Sequence, residues 1–460
     1  MIPIEKIDGN IMTSLLFYVC ILSTLLVIST FLRLKVAFLK KAFIPASLLA
    51  GLIGMILGPY ALKIIPEDMM SSIGTLPGQM ITVVFSCMLL GTRKETKKTD
   101  LHDIVTGLGW LWSISFMQVA IPCFLCALIL IPVFDVNPLF ASLFEIGFAG
   151  GHGTASGMAS VFQDPTLLNW SEGADLGMTT ATIGLLVGIF GGMSVINVAV
   201  RKKWTKLFKF ENATIKKSEV YDVNNRPVGA KMTVSQDVIE PFALHLGVIG
   251  ISVLIGRFIV YTFGQVTGYK GLPLFPFAMI GGWILNIIIQ NTKLADLFDR
   301  SIFQRIQSMA LEILIVAAMA SVKIPIVLKY WVPLLIGSIF VTINIYIWLI
   351  CISPHIFKDC WFEQGIIRFG AYTGVAAVGY MLLRTIDPEM ETEAGTNYAL
   401  CGPLSSPFIG GGLVTTAYPY LILKFGTLKL GLILFIAAMV ILIILRIFFW
   451  NKSSNRVQRS

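Results

Sequence analysis

FEIGFAGGHGTASGMASVFQDP, residues Phe144 to Pro165, is apolar enough to sit in a bilayer. It nevertheless carries Gly147, Gly150, Gly151, Gly153 and Gly157 together with Glu145 and His152. Glycines this dense do not favour a helix interior, and backbone groups released from a helix cannot stay unpaired in hydrocarbon. Irregular backbone at membrane depth persists only when packed in protein or lining a wet cavity. The segment is therefore a candidate permeation or binding element.

Its surroundings set the class. The chain has 460 residues, 56% hydrophobic and 13% charged, with a mean hydropathy of +0.80. Apolar runs of about 20 residues, each enough to cross the hydrocarbon core, follow one another. They are continuous, without the alternation of barrel strands. The composition implies an all-α polytopic membrane protein. A net charge of +9 would suggest nucleic acid in a soluble chain. Here the basic residues cluster in loops, where they mark topology, and no nucleic-acid partner is expected. The start, MIPIEKIDGN, is mixed in charge, so the first apolar run is expected to stay as a span. Cys123 and Cys126 form a CxxC inside an apolar helix, with no second pair to complete a metal site.

Spans are expected at 12–32, 43–62, 76–91, 107–131 and 177–200, then at 241–262, 272–290, 306–322, 330–353, 396–423 and 427–448. A polar, lysine-rich connector (201–238) separates the two sets. Arg33, Lys35, Lys40 and Lys41, and two crossings later Arg93, Lys94, Lys97 and Lys98, mark cytoplasmic loops. The amino terminus is then outside. The basic connector falls inside only if Phe144 to Pro165 dips into the membrane and returns, which makes it a re-entrant hairpin.

A second copy follows. FEQGIIRFGAYTGVAAVGYMLLRTIDP, Phe362 to Pro388, opens with the same Phe-Glu-x-Gly, closes on Asp-Pro, and carries Gly370 and Thr373 where the first has Gly151 and Thr154. An earlier span in each half also carries a proline and paired small residues: Pro45, Ala50 and Gly51, then Pro276, Gly281 and Gly282. Their order argues for duplication. Five spans per half is odd, so the second copy enters from the opposite face. The expected organisation is an N-terminal repeat (1–200) with hairpin 144–165, a cytoplasmic linker (201–238), and an inverted repeat (239–424) with hairpin 362–388. An extra C-terminal helix and basic tail (425–460) end on the cytoplasmic side. Inverted repeats with broken segments are the architecture of a secondary transporter.

At Gly150 to Met158, GGHGTASGM, the chain resembles the sodium:glutamate symporter family, and the likeness extends over most of its length. Its second tip, Gly370 to Val375, departs from the Gly-Ala-Thr-Pro-Thr-Ala type of the well-known bacterial members, which marks a divergent branch. The resemblance implies Na⁺-coupled uptake of an acidic amino acid such as glutamate, a homodimer in the cell inner membrane, and an elevator-like movement of the hairpin domain.

Several residues carry two readings each. Gly150, Gly151, Gly153 and Thr154, with Gly370, Tyr372, Thr373 and Gly374, would form tips whose amides, carbonyls and hydroxyls hold substrate or Na⁺; close helix packing is the alternative. His152 orients substrate, carries a proton, or braces its tip. Arg368 meets a substrate carboxylate or pairs with Glu363. Glu145 and Glu363, at equivalent hairpin entrances, guide cations or are solvated entrance groups. Thr179, Thr180, Ser405 and Ser406, beside helix breakers, offer oxygens to Na⁺ or bond their own helix. Glu312, inside an apolar run, serves cation coupling or pairs with another helix. Rival functions are a proton-coupled or exchange carrier of another organic anion such as a di- or hydroxycarboxylate, a passive channel, and an intramembrane serine hydrolase using Ser156 and His245.

Overall fold

The structure, a computed structural model, describes residues 9–37, 39, 44–92, 101–165, 167–206, 226, 228–235, 237–267, 273–357, 359–387 and 391–449. Most of the basic residues used above for orientation, namely Lys40, Lys41, Arg93, Lys94, Lys97 and Lys98, lie outside them, as do the greater part of the connector and Pro388.

Among the described residues every regular element is a helix, and eight helices are long and apolar enough to cross a membrane. In chain order the longer helices, the eight among them, are α1 Gly9–Lys35, α2 Ala46–Leu57, α3 Leu76–Met88, α4 His102–Phe134, α5 Gly151–Gln163, α6 Gly173–Arg201, α7 Pro241–Thr267, α8 Leu274–Gln290, α9 Arg300–Ala320, α10 Trp331–Ile356, α11 Trp361–Ile386, α12 Glu393–Ser405, α13 Leu413–Phe425 and α14 Thr427–Phe448. Long apolar runs explain most of them. The single span expected over 396–423 is instead two helices, α12 and α13. Pro403 and Pro407 remove backbone donors there, and Gly410 and Gly411 take positive φ of 65° and 109°.

The helices gather into two compact units, each drawn from both halves of the sequence. The first holds α1–α3, the later part of α5 and α7–α9. Small residues let its helices touch: a methyl group on Gly51 would lie 2.3 Å from Met319 Cβ, and one on Gly281 2.2 Å from the Ser252 carbonyl. These are the paired small residues of the two halves, so their role is close packing. Arg300 opens α9 and caps α3, its guanidinium donating to the carbonyls of Cys87, Met88 and Leu90. Asp299, the N-cap of α9, accepts from the Lys231 and Ser301 amides. Partial burial works against ionisation of Asp299, and those amides outweigh it, so its carboxyl is held below the usual range.

The second unit is built on α4, α6 and α10–α14 with the segment Pro138–Ala149 and the first turn of α5. Two indoles tie α4 to α10: Trp110 Nε1 donates to Ser353 Oγ and Trp348 Nε1 to Ser113 Oγ. The additional C-terminal helix, α14, lies along α4, with Leu445 over Gly109 and Gly431 against Cys123. Its outer side is apolar and exposed (Leu432, Ile436, Ile443).

Candidate functional site

The two broken segments both reverse direction against α6. Leu143 and Ala155 flank the same residue, Gly177; in one straight helix, twelve residues would separate them by about 18 Å. Between them the chain runs out along α6, with Thr180 Oγ1 bonded to the Leu143 carbonyl and Phe148 against Gly184. It then returns, with His152 Nε2 3.1 Å from Thr182 Oγ1. The turn is at Gly150–Gly151, where Gly151 has a φ of +67°, a conformation that glycine adopts without the Cβ penalty.

The second reversal is at Gly374–Val375, inside α11. A methyl on Gly370 would lie 2.6 Å from Gly379 Cα, so residues nine apart are in contact; a straight helix would hold them about 13 Å apart. Val375 sits at φ +64°, a strained position for a β-branched residue, and such strain gathers at ligand clamps. This segment follows the later half of α6: Thr373 packs on Gly184 and Gly188, Val378 on Gly188, and Leu382 on Gly192. Their spacing on α6 places them on one helical face, beside a wide π turn at Val187–Gly191. Helix α6 is thus a common spine for both reversals. Their tips meet: a methyl on Gly151 would lie 2.3 Å from Val375 Cγ1.

The side chains singled out from the sequence fall into three groups. Gly150, Gly151, His152, Gly153, Thr373 and Gly374 lie at the meeting point or in the adjoining turn. His152 is nearly buried and braced by Thr182. Thr154 and Thr373 bond the carbonyls of Gly150 and Phe369, and Tyr372 places its ring edge-to-face on Trp110 while its carbonyl accepts Gln118 Nε2 at 2.7 Å. Thr179 and Thr180 bond helix carbonyls, as hydroxyls within helices commonly do. Ser405 is buried with no partner for its hydroxyl among the described residues, whereas Ser406 reaches only the Pro403 carbonyl. Glu312 stands on an exposed face of α9 in the first unit.

Arg368 is fully buried. Its Nη1 donates to the Gln364 carbonyl and side chain, its Nη2 to Asn397 Oδ1, and its guanidinium stacks 4.6 Å from the Phe357 ring centre. The head group thus points back toward Gln364, away from the Gly374 turn. It does not pair with Glu363, whose carboxylate accepts the Lys206 amide at 2.6 Å. The expectation that Glu145 and Glu363 are solvated is corrected: both are fully buried. Glu145 Oε1 accepts from Ser115 Oγ, Gly410 N and Thr415 Oγ1 at 3.0, 3.0 and 3.1 Å. Its role was invisible in the sequence because two of those partners lie some 265 residues away.

The family profile described as sodium/glutamate symporter matches residues 10–359, more than three quarters of the chain. The chain belongs to the sodium/glutamate symporter family. It is thus an integral membrane transporter, and its first reversal lies within the matched residues while the second lies beyond them. No curated protein matches. Among solved structures, the sodium proton antiporter of Methanocaldococcus jannaschii is similar over 93% of this chain and 99% of its own, at 16% identity and a TM-score of 0.40. That likeness is too loose to specify a fold or an activity.

The meeting point brings together a glycine turn with approachable backbone and a second, strained turn against it. His245, the histidine considered for a hydrolase, holds both ring nitrogens in structural bonds, Nδ1 to the Pro241 carbonyl and Nε2 from the Asp299 amide, so it is not poised as a base for Ser156.

Proposed function

We propose that the chain is a Na⁺-coupled symporter that takes up a small anionic amino acid, glutamate or a close relative. The two reversals act as re-entrant hairpins entering from opposite faces of the cell inner membrane, within inverted repeats, and substrate binds where their tips meet. The observation that carries this reading is the contact of Gly151 with Val375 over the glycine face of α6. Non-helical backbone at this depth is tolerated where it lines a site. Gly150, Gly151, Gly153, Gly370 and Gly374 allow close approach, with His152, Thr154, Tyr372 and Thr373 around them. Arg368 adds a buried positive charge one to two turns away, which favours an anion. The amino terminus lies outside and the carboxyl terminus in the cytoplasm. Access alternates as the hairpin-bearing part moves, and the exposed apolar side of α14 suits lipid or a second copy in a homodimer.

One Na⁺ carrying one monoanion gains nothing from voltage, while each further charge gains about 2.3 kcal/mol per 100 mV. Potential-driven uptake therefore needs more than one cation per substrate. The test is uptake into proteoliposomes of labelled glutamate, aspartate, malate and citrate under an inward Na⁺ gradient and with choline in its place. Glutamate uptake that collapses in choline supports the reading. Uptake indifferent to that exchange refutes Na⁺ coupling and favours a proton-coupled or exchange carrier.

A further inference from the structure

We infer that Glu145 is the anchoring ligand of a coupling-ion site, a Na⁺ held between α4, the first reversal and the break before α13. The inference rests on the Na⁺-symport reading and assigns the ion to a place that the helix hydroxyls of Thr179 and Thr180 do not provide. Three donors converge on Glu145 Oε1, and the Thr415 hydroxyl among them already accepts the Gly411 amide, so its proton goes to Glu145. That is the pattern of a carboxylate rather than a neutral acid. Its other oxygen, Oε2, is buried with no hydrogen-bond partner, and no lysine or arginine pairs with it among the described residues.

A buried anion lacking a counter-charge is costly. The surroundings point to a small hard cation, because what adjoins is oxygen. One turn from Ser115 on α4, Gln118 Oε1 is also buried and without a partner. One turn from Thr415 on α13, the Tyr418 hydroxyl is likewise buried and without a hydrogen-bond partner among the described residues. Both hydroxyl residues that donate to Glu145 are thus followed, one turn on along the same helix, by an oxygen with lone pairs to spare. Among the described residues no group of three or more His, Cys, Asp and Glu side chains forms here, and a donor set of oxygens suits Na⁺ rather than a transition metal.

The site touches both tips. The Glu145 carbonyl accepts the Gly150 amide, closing the wide turn that leads into the first reversal. Gln118 spends its Nε2–H on the Tyr372 carbonyl, next to Thr373 and Gly374. An ion bound at Glu145 and Gln118 therefore fixes the backbone on either side of the meeting point, which is what coupling requires of it.

The test measures ion binding without transport. The full chain in detergent is melted over a NaCl series, with choline chloride holding ionic strength constant, for wild type, Glu145→Gln and Tyr418→Phe. Wild type should gain stability saturably with Na⁺. Glu145→Gln should lose that gain or need at least about tenfold more Na⁺, the effect of about 1.4 kcal/mol of binding. Tyr418→Phe, which keeps the packed ring, should raise half-saturation several-fold and covers the case in which Glu145→Gln does not fold. Wild-type half-saturation in Glu145→Gln, or in Tyr418→Phe where Glu145→Gln does not fold, overturns the site. A wild type stabilised by acid but not by Na⁺, with Glu145→Gln matching it at low pH, also overturns it and makes Glu145 a proton carrier. Na⁺-driven uptake with an unshifted Glu145→Gln removes this site and leaves the symport standing. No Na⁺ effect on uptake or melting in wild type removes both.

Discussion

Replacing Gly151 by alanine tests whether the two reversals meet as described. The new methyl would lie 2.3 Å from Val375 Cγ1, well inside contact distance, and overpacking of this kind costs about 1–3 kcal/mol. The residue would also hold φ at +67°, which costs a non-glycine about 1–2 kcal/mol. Together about 2–5 kcal/mol would act against the conformation in which the tips touch, a loss of roughly 30-fold to several-thousand-fold in its population. The two contributions separate in a double-mutant cycle. Val375→Ala removes Cγ1, so adding it to Gly151→Ala should restore about 1–3 kcal/mol, or about 5- to 150-fold, and leave the backbone strain. The assay is the initial rate of Na⁺-dependent uptake per folded protein, with folding checked by size-exclusion profile. Strictly additive effects, with no recovery in the double variant, would refute the contact between the tips.

Further outcomes follow from single contacts. Arg368→Lys keeps the charge but cannot fork between Gln364 and Asn397; the melting temperature should fall, reflecting about 1.5–3 kcal/mol, while substrate affinity moves less than about tenfold. A large affinity loss at unchanged stability would place Arg368 on the substrate instead. Arg300→Met strips three carbonyls at the end of α3 of their donor and should destabilise the protein by about 2–4 kcal/mol, seen by thermal unfolding; a wild-type melting curve would contradict the cap. Glu172 is partly buried, which opposes ionisation, but Lys329 and Tyr330 donate to it and hold its carboxyl below the ordinary 4.5. Its contribution is present above that value and lost as pH falls through the lowered one. Wild type and Glu172→Gln should therefore differ modestly at neutral pH and converge in acid; a gap that widens in acid would reverse the sign.

Much of this arrangement could be read from residue order, because bilayer length and glycine clustering are local signals. Helices at Pro241–Thr267, Leu274–Gln290 and Thr427–Phe448 lie close to the apolar runs expected at 241–262, 272–290 and 427–448, and both glycine breaks do turn the chain. What was hidden is contact between distant segments. The spine role of α6 depends on Gly177, Gly184, Gly188 and Gly192 sharing a face, a spacing visible in the sequence but meaningless until two partners pack on it. The burial of Glu145 needed Gly410 and Thr415 from the far end of the chain. Arg368 looked like an anion ligand by residue type, whereas its direction is set by Gln364 one turn earlier and by Asn397 on α12. The prolines at 403 and 407 were read as breakers, yet the span around them was drawn as one, since hydropathy averages over a short gap.

Four exposed residues give the most direct test that each segment enters and leaves by one face: Asp135 and Asn169 flank the first reversal, Asp359 and Glu391 the second. Each is replaced singly by cysteine in a cysteine-free chain and exposed to an impermeant thiol reagent in right-side-out vesicles. Cysteines at 135 and 169 should both react from outside, and those at 359 and 391 only after the vesicles are opened. Labelling of the two members of either pair from opposite faces would make that segment a crossing and contradict the account.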